Sequence, residues 1–328
     1  MPAAARPIIH PRKRQETLIS AGAPRITKKV PIPGTDLVLA RPEWTAMQER
    51  HHQDVDSLTS DHRSRTSVGR AHPVEDFLFT YYSLRPAALR RWHPGAGIAL
   101  LDAAERSDWR FHRVIEVSPG PTTAVAADAD RFCAERGPSV QFIRRLLSNT
   151  SRATLQLGCF GLHEWAMVFQ VDQPRHDSWP LRLGRQGTDD VVRENQIRCS
   201  HFDAFRFFTP AARPRNLLAP DLESRDRMEQ PGCLHASMDL YKWAYRLLPI
   251  VSSGLLLDCF DLAKRIREVD MRASPYDLSA LGYRPIPIET PSGKAEYVAA
   301  QRDFATAGQI IRTRLIDELD RAFGAECD

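Results

Sequence analysis

Apolar positions along this chain recur mainly at helical spacing, most clearly in the C-terminal third. Leu255, Leu256, Cys259, Leu262, Ala263 and Ile266 fall on one face, with Lys264, Arg265, Arg267 and Glu268 on the other; this predicts an amphipathic helix over 254–270. A helix is predicted over 233–248 after Pro231-Gly232, and a final one over 294–324 with Ile310, Ile311, Leu315 and Leu319 on one side. Pro42-Glu43 opens a predicted helix over 43–60, and His51, His52 and His62 on this polar stretch read as surface residues. The dense run from Asp76 to Ser83 predicts a buried helix of about three turns between Pro73 and Pro86. Residues 109–118 alternate as a strand does, and Pro119-Gly120-Pro121 ends it. Residues 124–148 read as two helices broken at Gly137-Pro138, the second with Val140, Ile143, Leu146 and Leu147 inward and Arg144 and Arg145 outward. Residues 151–171 fit either a buried helix or a strand, whereas 172–230 are polar and loop-like around an aromatic cluster of Phe202, Phe205, Phe207 and Phe208. The expected fold is mainly α with minor β: a single large helical domain, residues 41–328, preceded by an extended or disordered basic arm, residues 1–40.

Charge supports that division. The chain of 328 residues carries a net charge of +4. Residues 1–33 hold seven basic side chains against Glu16 alone, so the remainder is net −2. Such an arm suits phosphate contacts, and it also suits a solvated terminus. No run approaches the roughly 18 apolar residues of a membrane helix. The first residues lead into no apolar signal segment, so a cytoplasmic protein without membrane contact is expected. Six cysteines form no C-x-x-C pair; they are expected as reduced, mostly buried thiols rather than a zinc ribbon.

The candidate chemistry lies in histidines paired with acids or aromatics. They stand in five segments: 71–77 (His72, Glu75), 161–165 (His163, Glu164), 175–177 (His176), 199–203 (His201, Asp203) and 233–239 (His235, Asp239). Histidine titrates near neutral pH and is a common metal ligand. His235 and Asp239, four apart on a predicted helix, share a face, so the carboxylate is placed to orient the imidazole for general-base work. His163 and Glu164 are adjacent and diverge by about 100° on a helix, which disfavours a shared ligand. His72, Glu75 and Asp76 stand at a predicted helix start, where capping competes with catalysis. The catalytic candidates are therefore His235, Asp239, His163, Glu164, His72 and Glu75. Phosphate-loop, dinucleotide-binding, zincin and nucleophile-elbow signatures are absent, which disfavours those enzyme classes.

Four strings carry a family resemblance: 72–83 (His72-Pro73-Val74-Glu75-Asp76-Phe77 onward), 89–95 (Leu89-Arg90-Arg91-Trp92-His93-Pro94-Gly95), 197–209 (around Cys199-Ser200-His201-Phe202-Asp203) and 270–277 (Asp270-Met271-Arg272-Ala273-Ser274-Pro275-Tyr276-Asp277). Over about residues 40–310 the chain resembles a mainly actinobacterial family labelled 3-methyladenine DNA glycosylase. The helix-hairpin-helix pattern of other glycosylases has no match here. The resemblance implies excision of an alkylated base flipped into an aromatic pocket, without a cofactor or metal. On that basis Tyr81, Tyr82, Trp92, Trp165, Phe202 and Trp243 are candidate walls, with His201 and Asp203 beside them. Asp239, Glu164 or Glu75 would act on water or the sugar, and Arg85, Arg90, Arg91 and the arm would contact DNA phosphates. The alternative is a metal-dependent enzyme acting on a small molecule, with a non-haem iron or di-metal centre drawn from His72, Glu75, His163, Glu164, His235 and Asp239. A binding module without chemistry is the third class.

Overall fold

The computed structural model describes residues 35–117, 122–171 and 179–324. The basic arm up to residue 34 and His176 lie outside these residues. The architecture is mainly α with a small sheet, as the periodicity predicts. The strands are β1 (Leu37–Leu39), β2 (Ile98–Leu101), β3 (His112–Val117) and β4 (Thr122–Ala127), in the order β1-β2-β4-β3. β1 pairs parallel with β2, and the other pairs are antiparallel, with Val114 opposite Val125. The helices are α1 (Arg41–Ser67), α2 (Phe77–Tyr81), α3 (Pro86–Arg90), α4 (Ala129–Arg152), α5 (Leu162–Ala166), α6 (Gly184–Glu194), α7 (Phe202–Phe205), α8 (Arg225–Met228), α9 (Leu234–Met238), α10 (Leu240–Arg246), α11 (Ser253–Arg272) and α12 (Pro291–Phe323). No helix among the described residues is long and apolar enough to cross a membrane.

α11 is the central element. Ser252 accepts from Leu255 N–H at its start, and its apolar face packs against α9, α10 and α12. α12 starts with Pro291 behind Thr290, whose hydroxyl accepts from Gly293 N–H. α1 buries only Trp44, His51, Val55 and Thr59, a narrow stripe that leaves the rest in water. A second small core joins Leu39, Trp44, Trp92, Leu100, Ala103 and Val125 beneath the sheet.

Six local expectations are corrected. Residues 124–127, expected as helix, belong to strand β4, because Ala124, Val125 and Ala126 bury between two partner strands. α4 runs through Gly137-Pro138 without a break: Pro138 faces solvent, while Phe132, Val140, Ile143 and Leu147 bury on both sides of it. Burial of four such side chains outweighs the roughly 3 kcal/mol an interior proline costs. The run at 76–83 makes only the five-residue α2, since Ser83 turns left-handed at φ 56. His51, expected at the surface, is buried with Nε2 3.0 Å from Leu89 O. Arg267, expected outward, is 3% exposed, whereas Ile310, expected inward, is 60% exposed.

Candidate functional site

The site begins with a clasp between two loops. Gln230 Oε1 accepts from both Gln156 N–H, at 3.0 Å, and Gly232 N–H, at 2.7 Å. The side-chain amide of Gln301 on α12 donates to Gly232 O at 2.8 Å. A Cβ at Gly232 would stand 2.3 Å from Gln156 O, so only glycine permits this approach. The clasp brings the 155–163 segment onto the start of α9. Phe160 and Gly161 then turn left-handed, at φ 48 and 72, and Gly161 lies against the Tyr297 ring.

This turn points His163 inward, 2% exposed, toward α11. Its Nε2 is 3.0 Å from Asp270 Oδ1, and its Nδ1 is 3.5 Å from Cys159 Sγ. Arg267, one turn before Asp270, donates through Nη1 to Asp270 Oδ2 at 3.1 Å and to Glu164 Oε1 at 3.3 Å. His163 and Glu164 therefore do converge, despite the divergence of adjacent helix positions, because the long Glu164 side chain reaches round to Arg267. Ligand-type atoms of His163, Glu164, His235 and Asp270 all lie within 4.8 Å of one another. Burial opposes a charge on His163, but Asp270 overrides it and raises the imidazole well above its usual range. The same contact, against the same burial, holds Asp270 far below the usual carboxylate range.

His235 links this group to a second one. Its ring meets His163 edge-on with centroids 4.5 Å apart and stacks on His201 at 5.3 Å. Burial, then the proximity of His163, pushes His235 down to about 3. Beyond it, His201 Nε2 is 3.4 Å from Glu229 and 3.5 Å from Asp239. Asp239 stands where α9 ends and α10 begins, so the helix expected over 233–248 is divided there. It accepts from Tyr82 OH at 2.7 Å and from Arg225 Nη2 at 2.6 Å. Arg225 also holds Glu229 at 2.7 Å and Asp203 at 2.9 Å, and Lys242 donates to Asp203 at 3.1 Å. Asp239 N–H donates to His235 O at 2.8 Å, but no side-chain hydrogen bond joins the two among the described residues, and the expected orientation of one side chain by the other is replaced by contact through His201.

A groove opens beside this polar line. One cavity, of about 560 Å³, is lined by Arg85, Arg91, His93, Trp109, Arg110, Phe111, Arg136, Tyr245 and Arg246, among others. A second, of about 370 Å³, is lined by Tyr81, Tyr82, Asp203, Arg206, Lys242, Tyr245 and Arg246. Tyr245 and Arg246 belong to both walls. Arg91 lies over Trp109 and Arg110 over Phe111, at 5.3 and 4.5 Å from the ring centroids. Arg110 pairs with Glu135, whereas Arg85, Arg91, Arg136 and Arg246 meet no carboxylate among the described residues. His93, in the same wall, is 7% exposed with no hydrogen-bond partner on Nδ1, and burial lowers it to about 3.

The other expected site residues lie apart. His72 Nδ1 accepts from Glu75 N–H at 3.1 Å and Glu75 pairs with Arg65 at 2.8 Å, an arrangement at the entry to α2 remote from His163 and His235 in its contacts. Trp92, Trp165 and Trp243 are core side chains, at 5%, 0% and 3% exposure, and Phe202 is half-buried. Arg90 pairs with Asp56 and does not line the groove. Sequence reasoning missed Cys159, Arg225, Arg267, Asp270, Trp109, Arg136 and Arg246. Gly158-Cys159-Phe160-Gly161 preceding His163 was a usable signal, since flanking glycines permit the tight turn the chain makes there. Searches of protein-family models, of curated proteins and of solved structures each found no match.

Proposed function

We propose that this protein binds nucleic acid in the arginine groove and excises a modified base by N-glycosidic hydrolysis. The observation that carries the proposal is that Tyr245 and Arg246 line both cavities, which sets the two side by side. Arginines without acid partners, set among aromatic faces, suit a phosphate backbone with stacked bases. Past Tyr245 and Arg246, the smaller cavity offers Tyr81 and Tyr82 for an extruded base, and Asp203 at the wall. Burial works against charge on Asp203, but Arg225 and Lys242 hold its carboxyl below the usual carboxylate range, so it is ionised at neutral pH. In the proposed step the C1′–N bond breaks and its electron pair leaves with the base. Water adds to C1′, and Asp203 takes the water proton. Asp239, expected in this role, is instead held fully buried by Tyr82 and Arg225.

The test is release of methylated purines from alkylated double- and single-stranded DNA. Wild type is expected to release base. Asp203→Asn is expected to lose about a hundredfold in rate while its circular dichroism shows the fold retained. No release by wild type, or equal release by the variant, overturns the proposal. The metal-dependent alternative rests on the convergence of His163, Glu164, His235 and Asp270. Both nitrogens of His163 are already engaged, however, and Arg267 lies between the two carboxylates. That donor set suits a chain of proton-sharing contacts better than a metal ion.

A further inference from the structure

The contacts of His163 define a site separate from the groove. Its two ring nitrogens are divided between a thiol and a carboxylate: Nδ1 faces Cys159 Sγ at 3.5 Å, and Nε2 faces Asp270 Oδ1 at 3.0 Å. A nucleophile within reach of a base, which is itself oriented by a third group, is the general arrangement of an activated nucleophile. The surroundings fit that role. Cys159 is partly exposed, unlike Cys199, Cys233 and Cys259, which are buried. It sits just before the left-handed pair Phe160-Gly161, and its Sγ turns toward His163. Asp270 cannot swing away, since Arg267 holds its other oxygen at 3.1 Å.

We propose that Cys159, His163 and Asp270 form a nucleophilic thiol centre that attacks an electrophilic carbon. The thiol proton passes from Sγ to His163 Nδ1, Sγ forms the new S–C bond, and the bond from that carbon to its leaving group breaks. The electron pair departs with the leaving group, which takes the proton from His163 Nδ1. Asp270 is a positioning residue: it fixes the ring and balances its charge. No oxidant or reductant is consumed. The groups that face Cys159 act mostly in one direction. The Cys199 thiol beside it and the His163 ring favour the thiolate, and burial opposes it. Cys233 and Tyr297 stand nearby as neutral groups whose own ionisation is pushed up by burial. His235 stays neutral, and Glu164 is balanced by Arg267.

The test is the pH profile of alkylation by iodoacetamide in the native full chain, followed peptide by peptide by mass spectrometry. Wild-type Cys159 is expected to react with an inflection at least one unit below the ordinary thiol value of about 8.5, with buried Cys259 as the slow internal reference. His163→Gln is expected to return the inflection to the ordinary range and to cut the rate at pH 6 about tenfold or more. Asp270→Asn should shift it part of the way. If a variant fails to fold, the wild-type profile still decides. An ordinary inflection, a profile indifferent to His163, or no alkylation of Cys159 in the native protein overturns the proposal. None of these outcomes depends on base release, so this centre and the groove are judged separately.

Discussion

The buried polar line and the arginine groove use the same side-chain chemistry in opposite ways. Arg225 and Arg267, at 4% and 3% exposure, are surrounded by carboxylates that leave them no spare charge. Arg85, Arg91, Arg136 and Arg246 surround aromatic rings and meet no carboxylate among the described residues. A buried charge must be paired, because taking it out of water alone costs several kcal/mol. A charge at a cavity wall keeps its water and can exchange it for an anion. The first arrangement holds the fold in one geometry; the second leaves its charge available to an anion.

The largest effect should come from breaking the buried arrangement. Arg225→Ala leaves Asp239, Glu229 and Asp203 without their shared cation, and a loss of about 3–5 kcal/mol in urea unfolding is expected. A loss under about 1 kcal/mol would mean that these acids protonate or repack easily, and the contrast with the groove would fail. Replacing Arg91, Arg136 and Arg246 together by Ala should change stability by only about 0.5 kcal/mol per site. The same variant should bind single-stranded DNA at least about tenfold more weakly, with a log–log salt slope reduced by about 2. Unchanged binding would make the groove a bystander.

A separate effect is in pH. His235 and His93 are both neutral in the folded protein, each lowered to about 3 by burial. Their contribution is present above the unfolded value of 6.5 and is lost as pH falls from there toward 3. His163 is raised, so its contribution is present below 6.5 and is lost only on the alkaline side. The melting temperature should therefore drop between pH 6.5 and 4, and less steeply in His93→Gln. An equal slope in that variant would remove His93 from the acid response.

Much of the helical frame was legible because apolar spacing reports burial directly. The stripe of α11 and that of α4 from Val140 to Leu147 needed no tertiary information. β4 was not legible, since Thr122–Ala127 has the composition of a helix start and becomes a strand only between β2 and β3. The site was half legible. His163, His201, His235 and Asp239 do gather, as their segments suggested. Their partners did not declare themselves, because Arg267 and Asp270 occupy positions whose polarity looks like a solvent face until α5 packs against them. His72 and Glu75 had the right composition, but their contacts are those of a helix entry.

Gly232 sets a limit on how far this sequence can drift. The gap that its missing side chain leaves is filled by a backbone carbonyl, which cannot adjust as a flexible side chain would. Every other L-residue there pushes the 155–163 segment off α9, and with it Cys159 and His163 from His235. In a library of random variants, position 232 would thus behave as intolerant as a reacting group, although its own atoms take no part in any chemistry. Its intolerance would measure how closely two loops must meet.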